Sequence, residues 1–168
     1  MTDFLLAADF QPKSELVVPE HHVSRAKYPV VDAHNHLPVS HPLMQDANLA
    51  ELVREMDFLN VKTIVNLSGG WGDDLKQNLD KLDAAYPGRF ATFCNVNWDG
   101  IGEPGWIERT MAQLEADVRA GARGFKVFKN LGLRVRDIHG KLVMPDDARI
   151  APLWDKVGEL GVPVLIHV

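Results

Sequence analysis

The sequence predicts an α/β fold built on parallel strands, and two observations predict it. Short apolar, β-branched runs alternate with stretches whose apolar residues recur at helical spacing. The run centres, near Val31, Ile64, Phe93, Val127 and Leu165, follow one another at about 29 to 38 residues, the length of a βα unit. Strands that alternate with helices run parallel, and strands this apolar imply cover on both faces. A (β/α)8 barrel and an open doubly wound sheet both satisfy the pattern.

Residues 1–29 carry Pro12, Pro19 and Pro29 with no helical period and read as an N-terminal extension packed across the domain. Strand one begins at Val30. Leu49, Leu52, Val53, Met56 and Leu59 then share a helical face, with Asn48 and Glu51 spaced as a capping box. Strand two is predicted at 63–67. Leu75, Leu79, Leu82 and Tyr86 mark a helix that opens near Asp73 or Asp74 and stops at Pro87-Gly88, before strand three at 90–96. Ile107, Met111, Leu114 and Val118 mark the next helix, ended by Gly121, and strand four occupies 124–128. Residues 133–143 read as a small hairpin turning at 137–140. A short helix follows around Leu153, Val157 and Leu160, with Pro152 suited to its first turn and Gly161 to its stop, and strand five spans 164–167.

Composition narrows the function classes. The chain has 168 residues, 46% hydrophobic and 24% charged, enough for one domain with a real core. A net charge of -5 with interspersed signs offers no basic stripe for nucleic acid or an anionic membrane surface. The single cysteine, Cys94, cannot form an intrachain disulfide and reads as a small core residue. Residues 1–10 lack the basic start and small-residue cleavage site of a signal peptide, and no run is long enough to span a membrane, so the cytoplasm is expected.

The chemistry starts at residues 30–37, Val-Val-Asp-Ala-His-Asn-His-Leu. In a strand, His34 and His36 lie on one face about 6.6 Å apart along the chain. Both rings can then converge on one ion at about 2.0 to 2.1 Å, with Asp32 on the same face one pleat deeper. A third histidine, His167, closes strand five. No Gly-x-Gly-x-x-Gly follows strand one, which argues against a dinucleotide-binding sheet. The other strand ends carry Asn66, Asn95, Asn97 and Trp98, Lys126 and Lys129, with Trp71 just after strand two.

The first motif, together with Val-Leu-Ile-His at 164–167, resembles the amidohydrolase superfamily, and within it the amidohydrolase-related (family 2) branch that includes aminocarboxymuconate-semialdehyde decarboxylase-like enzymes. The resemblance implies a (β/α)8 TIM-barrel type of fold, here truncated to about the first five strands, with residues 30–168 as a partial metal-dependent hydrolase domain. It also implies that His34, His36 and His167 ligate a catalytic divalent metal, zinc for preference. A full barrel takes about 250 residues, so the sequence reads as the N-terminal part of a longer enzyme that lacks the strand-eight acid. The catalytic acid is therefore unassigned.

The function expected is hydrolysis of an amide, ester or lactone by a metal-activated water. Decarboxylation or hydration of an aromatic or unsaturated acid, a catalytically inactive fragment, and a histidinol-phosphatase-like phosphoesterase are the alternatives. The last expects more histidines and acids where this chain has Asn66, Asn95 and Asn97. Lys126, Trp71, Trp98 and Asn97 are the candidate substrate-binding residues and suit a flat small molecule, carboxylated through its fit to Lys126. An uncompensated ammonium in a parallel sheet is costly, so Lys126 is expected to meet an acid or reach the strand ends. Open barrel edges at strands one and five predict self-association.

Overall fold

The computed structural model describes residues 11–167, so the expectations for residues 1–10, and the last residue of the predicted hydrolase domain, Val168, lie outside the described residues. Five strands and four helices alternate: β1 (Val30–Asn35), α1 (Asp46–Leu59), β2 (Val61–Asn66), α2 (Gly72–Asn78), β3 (Phe90–Thr92), α3 (Trp106–Ala120), β4 (Phe125–Val127), α4 (Ala151–Leu160) and β5 (Val164–Ile166). All the strand pairings are parallel.

The barrel expectation is corrected. The strands form two small sheets, β1-β2-β3 and β4-β5, and no barrel closes. A barrel requires its last strand to pair with its first, whereas β1 pairs with β2 alone and β5 with β4 alone among the described residues. The ladder also thins in the middle. A single parallel bridge, Cys94 to Phe125, joins the two sheets, with Cys94 N–H donating to Gly124 O (2.9 Å) and Lys126 N–H to Cys94 O (2.9 Å). One residue later Asn95 N–H turns back to Gly70 O (2.8 Å), so β3 cannot extend the pairing to the predicted residue 96.

Cover on both faces, expected for every strand, holds for β4, whose three residues are all buried, and fails for β1 and β5, whose valines are half exposed. The larger core gathers Leu114, Phe125, Val127, Leu153 and Val157 where α3 and α4 cover β4. A smaller one gathers Leu37, Leu49, Met56, Ile64 and Phe90 between α1 and the first sheet. Gly124 lets the two sheets approach, because a Cβ there would stand 2.4 Å from the Phe93 ring.

The helices follow their apolar stripes, with differences at the ends. Gln45, not Asn48, precedes α1 and makes no side-chain cap. A 3-10 turn at Pro42–Met44, in which His41 Nδ1 accepts from Leu43 N–H (3.2 Å), feeds directly into the helix, and Asn48 Nδ2 donates to Pro42 O (2.8 Å) instead of capping. The second helix continues beyond α2 as a π-helical segment, Leu79–Ala84. The hairpin after β4 is reduced to one antiparallel bridge, Arg136 to Leu142. It is tied down by Arg149, which pairs with Asp137 (2.6 Å) and Asp147 (2.7 Å) and holds both carboxyls down to about 2.

The described part of the extension, residues 11–29, does not pack across the domain. Residues 11–20 are exposed, and contact begins only where Arg25 donates to the Asp57 and Phe58 carbonyls and Ala26 N–H to Leu59 O (3.2 Å), at the end of α1. Among the described residues no helix is long and apolar enough to cross a membrane.

Candidate functional site

Strand β1 is not a regular pleat where it carries the histidines. Its register with β2 shifts between Asp32 and Asn35, so the segment bulges. Asp32 holds the bulge: its Oδ1 accepts from His34 N–H (3.1 Å) and its Oδ2 from Asn35 Nδ2 (2.9 Å). The expected role of Asp32 as a deeper member of the metal face gives way to this local one, because both carboxylate oxygens are engaged by the strand itself.

The bulge still brings the two rings together. The His34 and His36 centroids are 5.2 Å apart, and His167, whose N–H donates to Val127 O (3.0 Å) just past β5, lies 6.1 Å from His34. Two imidazoles on one tetrahedral ion, with N to metal distances of about 2.0 to 2.1 Å, have centroids about 5 Å apart. His34 and His36 meet that spacing and His167 stands about 1 Å too far out. Accordingly, among the described residues no three His, Cys, Asp or Glu side chains close on a single ion position.

The donor chemistry suits a zinc-type ion, which binds neutral imidazole. Partial burial first, then the neighbouring His34, Lys126 and His167, lower the His36 pKa and so favour its neutral form. Its Nδ1 lies 2.8 Å from Ser68 Oγ. With the proton on Nδ1, His36 donates to Ser68 and keeps the Nε2 lone pair for a ligand, the outer-shell arrangement that orients metal-binding histidines.

Next to the histidines is a second feature. Lys126 is 1% exposed, and its Nζ has no hydrogen-bond partner. Of the two expectations, an acid partner or a place at the strand ends, the first fails: no acid pairs with Lys126, whose side chain lines a cavity among the strand-end residues Asn95, Asn97 and Trp98, and burial lowers its pKa. Its Nζ lies 5.5 Å from the Phe128 ring centroid, and the same ring lies 5.7 Å from the His36 ring.

Lys126 lines a cavity of about 450 Å³ together with Trp71, Trp98 and Asn97. The four residues read from the sequence as substrate-binding thus share one wall. Their freedom differs: Trp98 stacks on Trp106 (6.4 Å), Trp71 is 42% exposed, and Asn97 Oδ1 accepts from Asp99 N–H (2.9 Å). A cavity of about 360 Å³ holds His36, His167 and Lys129, and Phe128, Asn130 and Arg134 line both cavities.

The buried asparagines at the strand ends are neither ligands nor solvated tips. Asn66 accepts from Leu37 N–H (2.9 Å) and donates to Leu37 O (3.0 Å), which fixes the turn after the histidines. Asn95 accepts from Gly70 N–H (2.9 Å) and donates to Lys126 O (3.1 Å), which ties β4 to the first sheet. Ser68, Asn130 and Arg134 carried no role in the sequence reading. Only Ser68 left a signal there, through its position two residues past the end of β2.

Comparison of the chain with family models, with curated proteins and with solved structures finds no match in any of the three.

Proposed function

We propose that the chain is a metal-dependent hydrolase of the amidohydrolase type, acting on an amide, ester or lactone. The observation that carries this reading is the gathering of His34, His36 and His167 at the C-terminal ends of β1 and β5, with the first pair at the spacing of two ligands on one ion. The resemblance of residues 30–37 and 164–167, which contain these histidines, to that superfamily agrees with it.

A divalent ion of the zinc type, when bound, supplies a Lewis acid that polarises a carbonyl and acidifies water. The chain's own residues do the rest. His34, His36 and His167 offer ring nitrogens, Ser68 orients the His36 ring through its Nδ1, and Asp32 and Asn66 fix the backbone on either side of the pair. The cavity lined by His36, His167 and Phe128 admits the carbonyl group beside them.

Equilibrium dialysis with zinc, followed by an assay on a chromogenic ester, tests the proposal. About one ion per chain is expected, and about a hundredfold or greater loss of affinity for His34→Ala and His36→Ala, since each removes a direct ligand. Binding that survives both substitutions, or ester hydrolysis indifferent to zinc, would remove the reading.

A further inference from the structure

We infer that the cavity beside the histidines is a subsite for the carboxylate of a flat organic acid, held by Lys126 and Arg134, so that the substrate's anionic end lies against one side of the Phe128, Asn130 and Arg134 wall and its reacting group on the other.

An ammonium out of water demands an anion or several hydrogen-bond acceptors. Lys126 has neither: its Nζ is unpartnered, and the nearby Phe128 ring supplies only a quadrupole. The fold nevertheless fixes it in place, with its backbone N–H on Cys94 O (2.9 Å) and its carbonyl on Asn95 Nδ2 (3.1 Å). A buried cation whose side chain lines the cavity, and whose ammonium has no partner in its own chain, is matched to an anion that it meets by turning toward the cavity.

The rest of the lining defines that anion. Arg134 and Arg136 add positive charge and Asp99 is the one acid among these walls. Arg136 is turned toward the hairpin, where its Nη1 donates to Gly140 O (2.9 Å), which leaves Lys126 and Arg134 to the cavity. Asn130 Oδ1 is buried and unpartnered as well, so the site also holds an acceptor that only a polar ligand would use. Trp71, Trp98 and Phe128 line the same space and favour a flat body over a compact tetrahedral anion. The volume, about 450 Å³, is that of a small-molecule site.

The subsite stands without the metal. Only the placing of the reacting group depends on the proposed hydrolase function, and it deepens that function by naming the substrate class as a planar carboxylic acid carrying the scissile bond at its far end.

Calorimetric titration of the whole chain with sodium benzoate, benzamide and inorganic phosphate tests it. Benzoate is expected to bind, with benzamide weaker by about tenfold or more, because the charged hydrogen bond is lost. Lys126→Met is expected to weaken benzoate by about tenfold and Arg134→Gln by about threefold. Should the buried substitution prevent folding, Arg134→Gln at its exposed position decides alone. Benzoate affinity within about twofold of the parent in the variants, equal binding of benzamide, or displacement of benzoate by an equal concentration of phosphate would overturn the subsite. His34→Ala with His36→Ala separates the two proposals. Benzoate binding retained there supports the subsite even if zinc-dependent hydrolysis is never found, and binding lost there would place benzoate on the histidines and overturn it.

Discussion

Strands β1 and β4 carry the two halves of the site, and they hold them in opposite ways. In β1, Val30 and Val31 are 41% and 55% exposed and both histidines that follow are exposed. In β4, Phe125, Lys126 and Val127 are at most 1% exposed. Both strands are short, parallel and apolar, so the difference comes from their neighbours. Among the described residues, β1 pairs with β2 on one side only, and that ladder carries a bulge. β4 has β5 on one side, the Cys94 bridge on the other, and the α3 and α4 core against it. The histidines therefore sit on an adjustable edge and the lysine on a fixed interior strand.

The largest effect that would break this contrast is expected at the seam beside β4. Gly124→Ala drives a Cβ to 2.4 Å from the Phe93 ring and should cost about 2 to 3 kcal/mol. Val31→Ala, on the open edge, should cost less than about 0.5 kcal/mol. Urea midpoints compare the two directly, and equal losses would erase the distinction between edge and interior.

A smaller effect sharpens it. Lys126→Met removes the unpartnered ammonium and keeps the length of the stem, so the variant should be more stable by on the order of 1 kcal/mol at pH 7. The sign of the pH dependence follows from the lowered pKa of Lys126 in the fold. The unfolded chain keeps this proton to higher pH than the folded one, so the parent gains stability as pH rises into the lysine range. The advantage of the variant should shrink there. Urea melts at neutral and alkaline pH measure this, and an advantage that grew with pH would have the wrong sign.

The smallest effect belongs to the edge. Without metal, His34→Ala and His36→Ala should each change stability by no more than about 0.5 kcal/mol, because the rings are exposed. Zinc should raise the Tm of the parent and leave both variants unmoved, since only a chain that binds the ion is stabilised by it. A metal-independent loss comparable to that of Gly124→Ala would make the rings structural packing.

The alternation of elements was legible in the sequence because amphipathic spacing and stop signals act over a few residues. The stripe of Ile107, Met111, Leu114 and Val118 lies on the observed α3, and Pro152 and Gly161 bracket α4, with Gly161 in the left-handed region (φ 66°) that glycine adopts at a helix end. The histidine pair was visible for the same reason, as a motif two residues long. The role of Asp32 was not, because the bulge that recruits it depends on the register with β2. Nor were the hydrogen bonds of Asn66 and Asn95, whose partners lie 25 to 31 residues away.

The order and type of the elements, and the residues that stand at the ends of the strands, can be read from local sequence. That the strands form two small sheets rather than a closed barrel, that β4 is enclosed and β1 open, and that Lys126 is buried without a partner beside Arg134 and Asn130 emerges from the packing of distant segments. The physical reason is range: helical and strand periodicity are written in adjacent residues, whereas burial, pairing and the meeting of side chains depend on contacts between segments that the chain keeps far apart until it folds.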